Sequence, residues 1–426
     1  MAADLEQTLP TRVRYGVIGF AVVLSVITYI ARVSISQAAP AISEALGLTK
    51  VQMGWAFSAF GVAYAAMQVP GGWMSDWIGP RRVLTFIVGW WSLFTAATGW
   101  AFNLVTLIGS RFCFGLGQGG GFPVLTKTFT TWLPREERVR AQGVMWLAAR
   151  WGGAFAPGLI ASLMSVMSWR RAFEIFAGLG IIWVVFFWRW YCDRPSDHSG
   201  PNPAELELLS ASSDTASGHG RVPWGLFFTS RTVWMLWLQY FCISYGWYFY
   251  ITWLPTYLQQ ARGQSMGDSA WLAGVPLFFG GIGSLFAGFA LQSVELWIGS
   301  PARARRLIAQ LGEFAAGGLL IVSVQIESPV WAMVAMGLAS FGNDLAMPPS
   351  WGVCMDAGGR YAGSLSGSMN MAGNIAGFIS PPAVAYILSA TNENWALTFY
   401  ISAGIYFLAA AAWWFIDPMT QLEKKQ

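Results

Sequence analysis

Apolar runs of about 20 residues recur along the whole chain, and a run of that length spans the hydrocarbon core of a bilayer as a helix. The first of them contains "VVLSVITYIARVSISQAAPAIS". Inside lipid every backbone N–H and C=O must bond within the protein, so only helices and closed barrels cross it. Barrel strands would show short alternating segments, and these runs are continuous. Charged residues make up 11% of the chain, against about 25% in a soluble domain. The class is therefore an all-α polytopic membrane protein.

Twelve spans are expected, starting near Tyr15, Gln52, Val83, Val105, Gln142, Ala172, Thr232, Ala270, Leu307, Pro329, Ala362 and Trp395. A stretch rich in Pro, Ser, Gly and acids, with both histidines, separates two sets of six. The domains read as residues 1–191, a cytoplasmic central linker over 192–231, and 232–426. "SDWIGPRR" after the second span is echoed by "ELWIGSPARARR" after the eighth, which points to two pseudo-symmetric six-helix bundles. With both termini in the cytoplasm, eighteen of the 25 Lys and Arg face inward and four outward, as the positive-inside rule asks. The expected location is the cell inner (plasma) membrane, multi-pass, with the first run retained as a helix because Arg32 interrupts it.

The remaining three cations, Arg32, Arg111 and Arg150, fall inside spans. Charges at membrane depth are costly and face the protein interior or a wet cavity. From the expected helix ends, Arg32 lies about 9 Å and Arg111 about 10 Å below the outer surface, at 1.5 Å per residue. Arg150 lies roughly 15 Å from the inner side. The nearest acids along the chain from Arg32 are Glu44 and Glu6. Guanidinium recognises carboxylate in a planar, bidentate fashion, so Arg32, Arg111 and Arg150 read as an anion cage. The alternative is that each bonds backbone carbonyls, which suits Arg150 in its close-packed "WGGAFAPG" setting.

Acids are rarer in the spans. Asp344 in "SFGNDLAMPPSW" precedes two prolines that interrupt a helix, and it reads as a proton site or as the ion-pair partner of an arginine, Arg32 included. Glu313 reads as structural. Ser366, Asn370 and Asn374 share one helical face by their i, i+4, i+8 spacing, as do Tyr64 and Gln68. These, with Tyr245 and Tyr248, are candidate contacts to substrate hydroxyls, the alternative being polar bonding between helices. Four scattered cysteines show no ligand spacing. "GLGQGGGFP" lies within a span and lacks the Lys of a phosphate loop. No cofactor, metal, nucleic acid or catalytic cluster is expected, and the protein is read as a monomer that is no enzyme.

"GGWMSDWIGPRR" resembles the loop signature of the major facilitator superfamily, carried here by Gly72, Asp76, Gly79, Arg81 and Arg82. That resemblance implies a conformational latch on the cytoplasmic side. A narrower one is to the anion:cation symporter family of bacterial sugar-acid and vesicular glutamate and sialic acid transporters. It rests on "YIARVSIS", "FSAFGVAYAAMQVPGGW", "GSRFCFGLGQGGGFP", "TTWLPREERVRAQG", "ITWLPTYL" and "DAGGRYAGSLSGSMNMAGNIAG". It implies alternating access to a central site holding a small organic anion, a hexonate, hexuronate or aldarate, with a proton as the coupling ion. Ala31 and Gln118 stand where such relatives usually place acids, and neither titrates. A uniporter, an exchanger, a sodium-coupled carrier of a dicarboxylate or aromatic acid, and a transporter-like ligand sensor are the alternatives.

Overall fold

In the computed structural model the described residues are 9–212, 222–419 and 421–422; Glu6, His219, Arg221, Lys424 and Lys425 lie outside them. The helices are α1 (Gly16–Leu46), α2 (Lys50–Ile78), α3 (Pro80–Gly99), α4 (Leu104–Gly119), α5 (Gly121–Trp132), α6 (Arg135–Val166) and α7 (Trp169–Trp190). Two short ones follow, α8 (Pro203–Ser212) and α9 (Trp224–Thr229). Then come α10 (Arg231–Thr252), α11 (Leu254–Gln260), α12 (Met266–Ile298), α13 (Pro301–Gln325), α14 (Pro329–Leu345), α15 (Met347–Gly358), α16 (Ala362–Ala390) and α17 (Trp395–Ala412). No strand occurs among the described residues. Counting α4–α5, α10–α11 and α14–α15 as single broken spans gives the twelve that the sequence predicts.

Local chemistry sets the helix ends. Thr49 and Asn103 each close a capping box, with Gln52 and Thr106, which satisfies N–H groups that a helix start leaves without partners. Gly79 has φ +88°, a conformation open to glycine, and Pro80 starts α3. The first broken span, α4–α5, is interrupted at Gly120, and the third, α14–α15, around Ala346, before Pro348 and Pro349. Gln118 and Asp344 each sit two residues before their break.

Packing divides the chain into two units. Unit 1 runs through Ala141, resumes over Ala156–Val222 and takes in Gly358–Gly367; unit 2 holds Gln142–Phe155, Pro223–Ala357 and the chain from Ser368 on. Small residues decide the shorter pieces. In unit 1, a Cβ at Gly363 would strike the Gly72 carbonyl and one at Gly367 the Gln68 carbonyl. In unit 2, a Cβ at Gly143 would strike the Ser284 carbonyl. Glycine lets backbones approach this closely in membrane helices. Gly373 and Gly377 do the same beneath the rings of Tyr240 and Tyr248.

Candidate functional site

In unit 1, α1, α2 and α4 bring two guanidiniums to one aromatic ring. Arg32 Nε donates to Gln118 Oε1 at 3.2 Å, and Gln118 Nε2 donates to the Thr28 carbonyl at 3.1 Å. The amide is thus oriented by α1, with its oxygen turned to the cation. The Arg32 guanidinium lies 4.6 Å from the Tyr64 ring centre, 5.1 Å from Tyr29 and 5.4 Å from Phe60. The Arg111 guanidinium lies 5.3 Å from the same Phe60 ring and 4.2 Å from Phe114. Arg111 is 1% exposed, and no group among the described residues accepts from its buried Nε or Nη1. Cation–π attraction offsets part of the cost of burying such a charge, and a guanidinium with donors to spare is a receptor for an anion. The two arginines that the depth arithmetic sets at one level do meet at one ring.

The predicted polar stripes are placed as follows. Tyr64 and Gln68 are buried on α2, Gln68 completely. In unit 1, Ser366 Oγ donates to the Gly363 carbonyl of its own turn at 3.1 Å. In unit 2, Tyr248 Oη donates to Asn374 Oδ1 at 2.9 Å, and Asn374 Nδ2 donates to the Asn370 carbonyl at 2.8 Å. Tyr245 is buried, and its carbonyl accepts from Ser380 Oγ.

Arg150 has a different setting. Within unit 2 its Nε and Nη2 hold Asp344 Oδ2 and Oδ1 at 2.7 and 2.8 Å. Asn343 Nδ2 adds a bond to Oδ1 at 2.7 Å, and the guanidinium lies 3.3 Å from the Trp247 ring centre. Asp344 is therefore the ion-pair partner of an arginine, and the arginine is Arg150, while Arg32 bonds the neutral amide of Gln118. A carboxylate already neutralises Arg150.

The loop signature forms a second cluster in unit 1. Asp76 Oδ1 accepts from Gly363 N at 3.1 Å, and Oδ2 accepts from Ser364 N at 2.6 Å and Ser364 Oγ at 2.7 Å. These are the first N–H groups of α16, so Asp76 caps that helix from α2 and sits at the positive end of its dipole. Lys127 Nζ lies 3.4 Å from Asp76 and donates to the Arg360 carbonyl at 2.5 Å. Gly72 lies against the Gly363 carbonyl, where a Cβ would collide. At Gly79 a Cβ would strike the Asp193 carboxylate, which accepts from Arg81 N at 2.9 Å. Burial raises the Asp193 carboxyl above the usual range, with the Arg81 N–H and the charges of Arg81 and Arg82 opposing. Arg81 Nη2 donates to the Trp188 carbonyl at 2.5 Å, and Arg82 is exposed.

With this geometry in place, a profile of the Major Facilitator Superfamily matches residues 21–381. The chain belongs to that superfamily. It is 33% identical over 98% of its length to a probable sulfoacetate transporter of Cupriavidus necator, of which 97% is covered. It is 31% identical over 94% of its length to a probable galactarate/D-glucarate transporter of Escherichia coli K12, of which 92% is covered. Among solved structures it resembles a human organic anion transporter, with TM-score 0.72 at 15% identity, over 94% of this chain and 99% of that one. A proton:xylose symporter matches with TM-score 0.71 at 14% identity, over 96% of this chain and 98% of that one. The resemblance to the anion-carrying branch of the superfamily stands, and the chain is a multi-pass membrane transporter rather than an enzyme.

Sequence reasoning missed four residues of these clusters. Phe60 continues the Tyr64–Gln68 stripe one turn back, and that i−4 position was its signal. Trp247 lies between the two tyrosines singled out on α10. Lys127 and Asp193 carry no local signal, because their partners are 51 and 112 positions away in sequence.

Proposed function

We propose that this superfamily member takes up a small organic anion across the inner membrane by proton symport, with both termini cytoplasmic. The observation that carries this is Arg111, a buried guanidinium with donors to spare, facing the same ring as Arg32. A carboxylate bridging the two would receive charge-assisted bonds worth about 1.5–3 kcal/mol each. Tyr64 and Gln68 of unit 1 are offered as contacts to the hydroxyls of a hexonate, hexuronate or aldarate, and Asn370, Asn374, Tyr245 and Tyr248 are offered as polar candidates within unit 2. The halves 1–191 and 232–426, joined by the 192–231 linker, are proposed to alternate access. Asp76, with Gly72, Gly79, Arg81 and Arg82, is the latch that weights the two states, because its bonds to α16 have to break when that helix end moves.

The probable sulfoacetate relative, which matches end to end, favours a second reading of the same site. Two guanidiniums without an intervening acid suit a compact dianion as well as a sugar acid. Purified protein in liposomes preloaded with D-glucarate or with sulfoacetate separates the readings. The preferred one predicts exchange of labelled D-glucarate, lost in Arg32→Ala and Arg111→Ala. Exchange of sulfoacetate alone selects the second, and undiminished exchange in both variants refutes the site.

A further inference from the structure

Neither Ala31 beside Arg32 nor Gln118, whose amide Arg32 bonds, can titrate, so a coupling proton has to be held elsewhere. Besides Asp356, which is paired with Arg305, unit 2 contains two fully buried acids among the described residues, Asp344 in the last turn of α14 and Glu313 midway along α13. Their surroundings are opposite. Asp344 has both oxygens on the Arg150 guanidinium. Glu313 has no cation within ion-pair distance among the described residues. Its Oε1 accepts from Gln239 Nε2 of α10 at 2.6 Å and from Trp413 Nε1 at 3.2 Å. Its Oε2 is buried and bonded to no group among the described residues.

That arrangement is the one a neutral carboxylic acid makes. Both N–H donors gather on one oxygen, which serves as the carbonyl, and the other is left for the hydroxyl. An ionised carboxylate here would be a buried charge with no counter-ion and half its acceptor capacity unused, which burial penalises heavily. The donors are themselves fixed: the Gln239 amide oxygen lies 3.1 Å from Ser350 Oγ, and Trp413 is fully buried. The other ionisable groups facing Glu313 are the thiol of Cys242 on α10 and the phenol of Tyr406 on α17, neither of which can carry a positive charge. From α14 the sole titratable residue is Asp344, held by Arg150, and α12 carries only Asp268 and Glu295 near its ends. Two acids with opposite environments divide into one protonated and one ionised.

We infer that Glu313 is the proton-binding site of this transporter, while Asp344 serves as the partner of Arg150. This rests on the transport reading above. The carboxyl takes up one proton from the acidic side to become the neutral acid, and gives it up when water reaches Oε2 in the alternate state. Both the proton and the organic anion then cross in the same cycle.

Infrared spectra of the purified full chain in lipid at neutral pH test the protonation without any substrate. The C=O stretch of a protonated carboxylic acid is expected in the wild type and in Asp344→Asn, and absent in Glu313→Gln. Its absence from the wild type, or its persistence in Glu313→Gln, overturns the inference. Flux tests the coupling, using whichever of D-glucarate and sulfoacetate is exchanged. Glu313→Gln is expected to exchange labelled for unlabelled acid, and to lose the several-fold acceleration that an inwardly directed proton gradient gives the wild type. Retained acceleration in Glu313→Gln refutes the proton role. Failure of the wild type to exchange either acid refutes the transport reading, and leaves the infrared result to decide Glu313.

Discussion

The two packing units carry the same broken span with opposite chemistry. In unit 1 the polar side chain before the break is Gln118, and it offers Arg32 a neutral amide oxygen at 3.2 Å. In unit 2 it is Asp344, and it offers Arg150 a bidentate carboxylate at 2.7 and 2.8 Å. Arg111 is buried beside the same ring as Arg32 in unit 1, and Glu313 is buried in unit 2, apart from the paired Arg14–Glu205 and Arg305–Asp356 of the same units. Burial therefore has different consequences in the two places. Beside the break in unit 1 a neutral amide meets the cation, whereas beside the break in unit 2 a carboxylate does, and Glu313 has no cation within ion-pair distance among the described residues.

The largest effect that breaks this comparison is expected from one substitution made in both units. Arg150→Ala leaves Asp344 buried without its counter-ion, which costs about 3–5 kcal/mol of stability. Arg111→Ala removes a buried charge that no acid balances, so its thermal midpoint should stay level or rise. Thermal unfolding in detergent checks both, and equal destabilisation of the two variants would erase the distinction. Arg150→Ala/Asp344→Ala should recover much of the loss, since the penalty belongs to the stranded charge.

The next effect is functional. Arg111→Lys keeps the charge and loses the planar fork, so substrate affinity should fall about 10-fold, on the order of one charge-assisted bond. Arg32→Lys should behave alike, whereas Arg150→Lys should change affinity less, because Asp344 takes up that cation. Competition binding of the transported acid measures all three.

Smaller still is the rim. Asp76→Ala removes the cap of α16 and should cost about 1 kcal/mol, typical of a lost N-cap. It should slow turnover while leaving substrate affinity near its wild-type value, which a split of KM against maximal rate reports. Asp76→Asn, which retains an acceptor, should recover part of the rate.

The smallest effect is at Asp193. Its folded-state carboxyl binds a proton more readily than a free one does. The stability it contributes is therefore complete below the ordinary carboxylate range and is lost as pH rises through the folded-state value. Asp193→Asn should flatten that mild slope in the thermal midpoint, and an unchanged slope would show that the Arg81 contact cancels the burial.

Latch and anion site differed in legibility. Gly72, Asp76 and Gly79 were readable because one short stretch at the end of α2 carries them, yet what Asp76 bonds lies 287 and 288 positions along the chain. Arg32 and Arg111 stood out because a guanidinium in an apolar run is conspicuous, and helical rise sets both at one depth. Phe60, the ring they share, looked like any membrane aromatic. Asp344 was recognisable as a partner for some arginine, but the choice of Arg150 was not. Glu313 looked structural because nothing along α13 shows that no cation faces it.

The sequence by itself determined the membrane class, the twelve spans and the inventory of charges at membrane depth, while α6 and α13 start six or seven residues before the apolar runs do. Hydropathy, capping and proline or glycine conformation act within a few residues, so they are written locally. Only the tertiary structure decided which buried charges meet a partner. Coulomb attraction and hydrogen bonds depend on separation in space, and contacts such as Arg150 to Asp344 join residues 194 apart in the chain. Whether a buried arginine awaits an anion or a buried acid keeps its proton is fixed by what the neighbouring helices present to it.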